Sequence, residues 1–298
     1  MNLTCNRSHL MLYVKIMRNN NVRHAVDLAY KVYGKLENAN SREPVVIIHG
    51  LLGSKKNWES MSKRINAATQ KPVIAVDARN HGESPHADSH TYPDLASDVL
   101  HLISQLSIKQ AAIIGHSMGG RTGMVIALSE PSIVSKLVVV DISPVSTTSA
   151  LNETFPQLID AMKSIHFKNI TNVVKARAVA KEKLVASGVI KDDSIGYVLM
   201  NIGIKPDKSI GWISNVNVLK EYSTEIARFP SEMSGKQYSG PTLFIGGGKS
   251  KFLPPGDLTG IKKYFPNANL KYIESVGHNV HAQAPDEFLA LIKDFLST

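Results

Sequence analysis

Cysteine is nearly absent from this chain of 298 residues, where Cys5 stands alone. A single thiol excludes an intrachain disulfide and points to a reducing compartment. Long apolar runs are missing too: crossing a bilayer as a helix takes about 20 consecutive apolar residues, and no stretch of the chain approaches that. The run at 10–14 is too short for a secretory core and ends at Lys15. Acidic residues are outnumbered, 25 against 34 Lys and Arg, for a formal net charge of +9. That excess raises nucleic acid and anionic membrane as partners. The densest basic run, Lys175 to Lys183, reads as a solvated helix face, and no basic stripe interleaved with aromatics accompanies it, which argues against nucleic acid. Weak attraction to anionic lipid, as a peripheral membrane contact, stays open. Residues 1–26 contain no acid but carry Arg7, Lys15, Arg18 and Arg23, a composition compatible with a mitochondrial transit segment.

Short apolar runs are plentiful. With 43% hydrophobic residues the chain can bury a full core as one large α/β domain. The runs at 45–48, 73–76, 111–114, 137–140, 243–245 and 270–273 are brief and unbroken. Such runs imply strands covered on both faces, hence a mostly parallel sheet flanked by helices. Residues 27–33 alternate well enough for an early antiparallel strand, with 13–16 as its expected partner. Leu95, Val99, Leu102, Ile103 and Leu106 recur at i, i+4, i+7, i+8 and i+11, one helical stripe for packing on that sheet. Residues 145–237 break the strand–helix rhythm, with helical patterns near 158–165, 173–186 and 219–229. The expected organisation is an extension at 1–26, a core at 27–144 and 238–298, and a helical lid at 145–237.

Gly115-His116-Ser117-Met118-Gly119 lies between an apolar run and a helix-like stretch, 122–128. A G-x-S-x-G elbow turns the chain sharply from strand to helix, and small residues on either side of the serine leave room for the strained backbone. Such a turn presents Ser117 as a nucleophile and leaves the Met118 N–H free to hold a developing oxyanion. By chance alone the pentapeptide could fall in any loop; the strand before it and the helix after it supply the context the motif demands.

A nucleophilic serine needs a base, and the base an orienting acid, in the chain order Ser, acid, His. His278 follows the run at 270–273, where a parallel sheet presents its chemistry, and is preferred over His281 on the same loop. The run at 243–245 is followed by Gly246-Gly247-Gly248-Lys249-Ser250-Lys251 with no carboxylate before Asp257, whereas the run at 137–140 ends directly in Asp141. Asp141 is therefore the expected acid, with a turn cap before Pro144 as its structural alternative. The loop His49-Gly50-Leu51-Leu52-Gly53 should supply a second oxyanion donor from the Leu51 N–H. Residues 246–250 have the look of a phosphate loop, but Leu243 stands where the first Walker glycine belongs, which rules out a nucleotide site. In the lid Phe155, Met162 and Trp212, with Tyr197, Met200 and Tyr222, are candidates for lining the substrate pocket, against plain packing of the lid. The chemistry calls for no cofactor and no metal.

The segments His49-Gly50-Leu51-Leu52-Gly53-Ser54-Lys55, Val76-Asp77-Ala78-Arg79-Asn80-His81-Gly82-Glu83-Ser84-Pro85-His86, Gly115 to Arg121, Val140-Asp141-Ile142-Ser143-Pro144 and Gly277-His278 together resemble the α/β-hydrolases. They resemble more closely the α/β-hydrolase domain-containing protein eleven family, from about Pro44 to the C-terminus. The resemblance implies the α/β-hydrolase fold and a serine hydrolase acting on lipid esters such as diacylglycerol, mitochondrial in animal members, with acyl transfer to alcohols in fungal relatives. One departure is Ile213 after Trp212, where relatives often show arginine. Three functions follow as expectations: an esterase or lipase working through an acyl-enzyme, an acyltransferase using the same intermediate, and a ligand receptor that kept the fold without the chemistry.

Overall fold

The structure, a computed structural model, describes residues 25–36, 43–190 and 192–297. The expected transit segment, but for residues 25 and 26, and the strand at 13–16 lie outside the described residues. Nine strands are found among those described: Tyr30–Tyr33 (β1), Val45–Ile48 (β2), Val73–Val76 (β3), Ala111–His116 (β4), Val134–Val140 (β5), Ile202–Ile204 (β6), Ile210–Trp212 (β7), Thr242–Gly247 (β8) and Ala268–Ile273 (β9). Seven form one sheet in the order β1-β3-β2-β4-β5-β8-β9, and only β1 runs antiparallel to its neighbour, pairing Tyr30 with Val76 and Tyr33 with Val73. This is the mostly parallel sheet that the short apolar runs predicted.

Burial on both faces is what those runs were selected for. Alternate strand residues point to opposite sides. Val46, Ile48, Ile113, Leu137 and Val139 meet one apolar cluster with Leu95, Val99, Leu102 and Ile103 of the helix Tyr92–Gln105. Val45, Ile47, Ala112, Ile114 and Val138 meet another with Met61 and Ile65 of the helix Glu59–Thr69 and with Phe288, Ile292 and Leu296 of the C-terminal helix Pro285–Ser297. The Tyr92–Gln105 helix starts where Thr91 and Asp94 cap each other's backbone and Pro93 presets the first turn. Leu106, last in the expected stripe, lies just past its end and is only half-buried. Phe288→Ala, removing a fully buried ring, would cost about 3–5 kcal/mol.

Between β5 and β8 the chain leaves the sheet and builds Phe155–Lys163, Val173–Ala186, Asp192–Leu199, the β6–β7 hairpin, Val216–Glu221 and Ser223–Ala227. This insertion has an apolar cluster including Ile159, Met162, Ala176, Leu184, Trp212 and Leu219, which also takes in Leu52 of the loop after β2. The hairpin carried no signal in the sequence, because strands of three residues are too short to show a period. Tethers fasten the insertion to the core: the Tyr92 hydroxyl and the buried Arg121 guanidinium both donate to the Ile226 carbonyl, at 2.8 and 3.2 Å, and the Asn215 N–H donates to the Asn80 carbonyl at 2.9 Å. Among the described residues, no helix is long and apolar enough to cross a membrane.

Candidate active site

The loops after β2 and β4 flank the point where the strand order reverses, the place where an open parallel sheet forms its crevice. Ser117 joins β4 to the helix Met118–Ser129 with φ 52° and ψ −117°, a region costly for any residue but glycine, by about 1–3 kcal/mol. The surroundings hold it there: the Ser117 N–H donates to the Val140 carbonyl at 2.9 Å, and its own carbonyl accepts from Gly120 and Arg121 N–H at 2.8 and 3.1 Å. A Cβ on Gly115 would collide with the Gly119 carbonyl, and one on Gly119 with the Ile48 carbonyl. The two glycines of the motif are therefore demanded by main-chain contact on both sides of the elbow.

Asp141 ends β5 beside the elbow, fully buried and with φ 51°. Its carboxylate accepts three hydrogen bonds: from His278 Nδ1 at 2.7 Å, from the Gly247 N–H at 3.0 Å, and from the Ser250 hydroxyl. The loop after β8 thus contributes donors to an acid supplied by β5. His278 is packed flat on Phe252, ring centroids 3.9 Å apart, and its backbone carbonyl accepts from His116 Nε2 at 2.9 Å. His116, the residue before Ser117, in this way ties the elbow to the histidine loop. Ser117 Oγ makes no hydrogen bond among the described residues, His278 included; contacts of this kind are commonly loose before substrate binds. Asp257 lies elsewhere: it accepts from the Ser143 and Ser146 hydroxyls and the Ser146 N–H, fastening the loop beyond Asp141.

The Met118 N–H, at the first helical position, has no intrahelical acceptor, and the Leu51 N–H has no acceptor among the described residues. The peptides around Leu51 are tightly held. The Leu51 carbonyl accepts from the Tyr197 hydroxyl at 3.1 Å and the Leu52 carbonyl from Asn201 Nδ2 at 2.5 Å, both reaching from the insertion. The Leu52 N–H donates to His81 Nε2 at 3.1 Å, and the Ala78 N–H to His49 Nε2 at 3.0 Å. Asn80 Nδ2 donates to His90 Nδ1, leaving His90 Nε2 to donate to Met118 Sδ at 3.3 Å. These roles need neutral rings. Burial supplies them, pushing His49 below its ordinary 6.5, His81 and His116 well below it, and His90 down to about 3.

Asp77 is likewise a scaffold residue, accepting from the Lys55 N–H at 2.6 Å, from Lys55 Nζ and from the Glu83 N–H at 2.8 Å. Arg79 is buried against Asp98 through two 2.6 Å hydrogen bonds. Of the residues expected to line the pocket, Phe155, Met162 and Trp212 pack in the apolar cluster of the insertion, which also holds Leu52, and Trp212 Nε1 donates to the Met162 carbonyl at 2.8 Å. The sequence offered no pointer to Asn201 or His116 as structural partners of the site, since both act through chain-distant carbonyls. Ser250 was visible in the carboxylate-free loop after β8, but its direction toward Asp141 was not. Among the described residues no cluster of His, Cys, Asp or Glu is arranged to hold a metal ion.

Fold and site define an α/β-hydrolase. Residues 43–182 match the α/β hydrolase fold family, and the chain belongs to it. It is 37% identical to the sn-1-specific diacylglycerol lipase ABHD11 of Xenopus laevis over 94% of this chain and 87% of that one. The ethanol acetyltransferase 1 of Eremothecium cymbalariae is 34% identical over 93% and 82% of the two chains. A marine microorganism esterase of known structure superposes with a TM-score of 0.79 at 32% identity, over 91% of this chain and all of the other.

Proposed function

We propose that this protein is a serine lipase that cleaves carboxylic ester bonds of acylglycerols such as diacylglycerol through an acyl-enzyme. Ser117 attacks the ester carbonyl, His278 takes the serine proton and returns it to the leaving alcohol, and Asp141 orients the imidazole and stabilises it when charged. The Leu51 and Met118 N–H groups receive the carbonyl oxygen as it becomes an anion. Water, deprotonated by His278, then attacks the acyl-serine, and the acid leaves as Ser117 regains its proton. The observation that carries the reading is the 2.7 Å contact between His278 Nδ1 and the buried Asp141 carboxylate, beside a serine held in a strained elbow. The diacylglycerol lipases among its relatives support the substrate class. Ser117→Ala, with the fold retained, is expected to lose on the order of 10⁴- to 10⁶-fold in ester turnover and all labelling by a fluorophosphonate. Retention of more than about a tenth of the activity would require another nucleophile and end this reading.

Acyl transfer to an alcohol is the second reading, favoured by the acetyltransferase relative. It uses the same acyl-Ser117 and differs only in the nucleophile that discharges it. Turnover in mixed water and alcohol, with acid and ester products quantified, separates the two.

A further inference from the structure

We propose that one face of the insertion, around the β6–β7 hairpin and the start of the helix Val173–Ala186, docks the protein on an anionic lipid surface; the proposal rests on the lipid-ester reading above. Val174, at that helix's first turn, is 75% exposed, and Ile204, in β6, is 66% exposed. Helix and hairpin are joined, with the Arg177 guanidinium donating to the Ile202 carbonyl at 3.2 Å. Between the hairpin and the segment 165–171 lies an open groove of about 710 Å³, walled by apolar side chains such as Phe167, Ile170 and Ile210 and flanked by Lys168, Lys205 and Lys208. None of Ser117, Asp141, His278, Leu51 or Met118 lines it.

Isolated exposed aliphatics are ordinary on a protein surface. What singles out this face is their company. Lys168, Lys205 and Lys208 form no ion pair among the described residues. The acid at the hairpin turn, Asp207, has an oxygen occupied by the Ser209 N–H and hydroxyl at 2.9 and 2.6 Å. Unpaired cations beside projecting Val and Ile side chains match a layer of phosphates over acyl chains: lysines meet headgroups while the aliphatic tips enter the boundary. A second copy of the chain fits less well, since it would set lysines against lysines. The face also connects to the site. Beyond β7 the Ile213 N–H donates to the Asn201 carbonyl at 2.7 Å, and Asn201 holds the Leu52 carbonyl. A lipid-docked hairpin therefore abuts the loop that carries the Leu51 N–H.

The test is co-sedimentation of the full chain, as Ser117→Ala to prevent turnover, with phosphatidylcholine vesicles lacking or containing phosphatidylserine. Binding should require phosphatidylserine and weaken with salt. In that background, Lys168→Gln/Lys205→Gln/Lys208→Gln should partition on the order of 100-fold more weakly, about fivefold per lost cation, and Val174→Ser/Ile204→Ser should also bind more weakly. The same five substitutions placed in the wild-type chain should leave hydrolysis of a short soluble ester unchanged, which shows that the variants fold. Equal phosphatidylserine binding by the triple variant, or none by the parent, overturns the proposal. So does self-association abolished by the same substitutions, which would assign the face to a second copy. Vesicle binding with no ester turnover by the wild-type chain would instead overturn the hydrolase reading alone.

Discussion

At Asp141 three donors converge on one buried carboxylate, and only one of them belongs to the proposed chemistry. Gly247 and Ser250 leave Asp141 little freedom to turn, so His278 meets an acceptor already aimed. Asp141→Asn keeps the shape but exchanges an acceptor oxygen for a donor, which favours the wrong imidazole tautomer; ester turnover should fall by roughly 10⁴-fold. Asp257→Asn should leave turnover within a few fold and cost stability of about 1–2 kcal/mol, because the side chain holds Ser143 and Ser146 rather than His278. Both variants assayed on one soluble ester decide the point. A severe loss for Asp257→Asn with a mild one for Asp141→Asn would move the acid to the later strand.

Among the elements, the insertion acts on the loop after β2 through two side chains. Asn201, between the helix Asp192–Leu199 and β6, donates to the Leu52 carbonyl and accepts from the Ser214 hydroxyl. Tyr197 holds the neighbouring Leu51 carbonyl. Leu52 itself has φ 58°, a conformation that a leucine keeps only when its surroundings insist. Asn201→Ala would leave a buried carbonyl unpaired, at about 1–3 kcal/mol of stability, and loosen the peptide that carries the Leu51 N–H. Turnover of a soluble ester should drop by about tenfold in kcat, roughly 1.4 kcal/mol, with KM little changed, and Tyr197→Phe added to it should lower kcat further. An unchanged kcat in the double variant would show that the insertion does not position this loop.

For the whole molecule, the buried histidines set an acid limit. His81 and His116 are held well below 6.5 by burial, and His90 and His281 are lowered to about 3. Each is neutral when folded and titrates near 6.5 when unfolded, so on acidification the unfolded chain takes up protons first. The stability they confer is complete above about pH 6.5 and is lost as pH falls from there toward the folded values. At pH 5 His90 and His281 each cost about 2 kcal/mol, ~4 kcal/mol together, and His81 and His116 act in the same direction, against a domain's whole net stability of about 5–15 kcal/mol. Thermal unfolding followed from pH 8 to 5 should show Tm falling steeply below about 6.5. His281→Phe should flatten that slope, since His281 lies stacked on Trp58 with its Nδ1 unpartnered, and a phenyl ring keeps the stack without the proton. A Tm that stays level across this range would contradict the neutral-histidine reading.

The fold class was legible in the sequence because unbroken Val and Ile runs, such as those at 45–48 and 73–76, can be satisfied only by strands buried on both faces. The geometry of the elbow was legible for a similar reason: Gly115 and Gly119 flank Ser117 because their own backbone neighbours leave no room for a Cβ. What lies outside a few residues of sequence needed the tertiary structure. Strand order placed the ends of β5, β8 and β9 side by side, and so brought Ser250 and His278 to the Asp141 carboxylate. Packing decided that Met162 and Trp212 join an apolar cluster that the insertion shares with Leu52 of the loop after β2, since an apolar residue on a helix or a short strand carries no mark of which surface will cover it. The partnership of Asn201 with Leu52 spans 149 residues. It exists because two loops meet in space, and no periodicity along a chain records such a meeting.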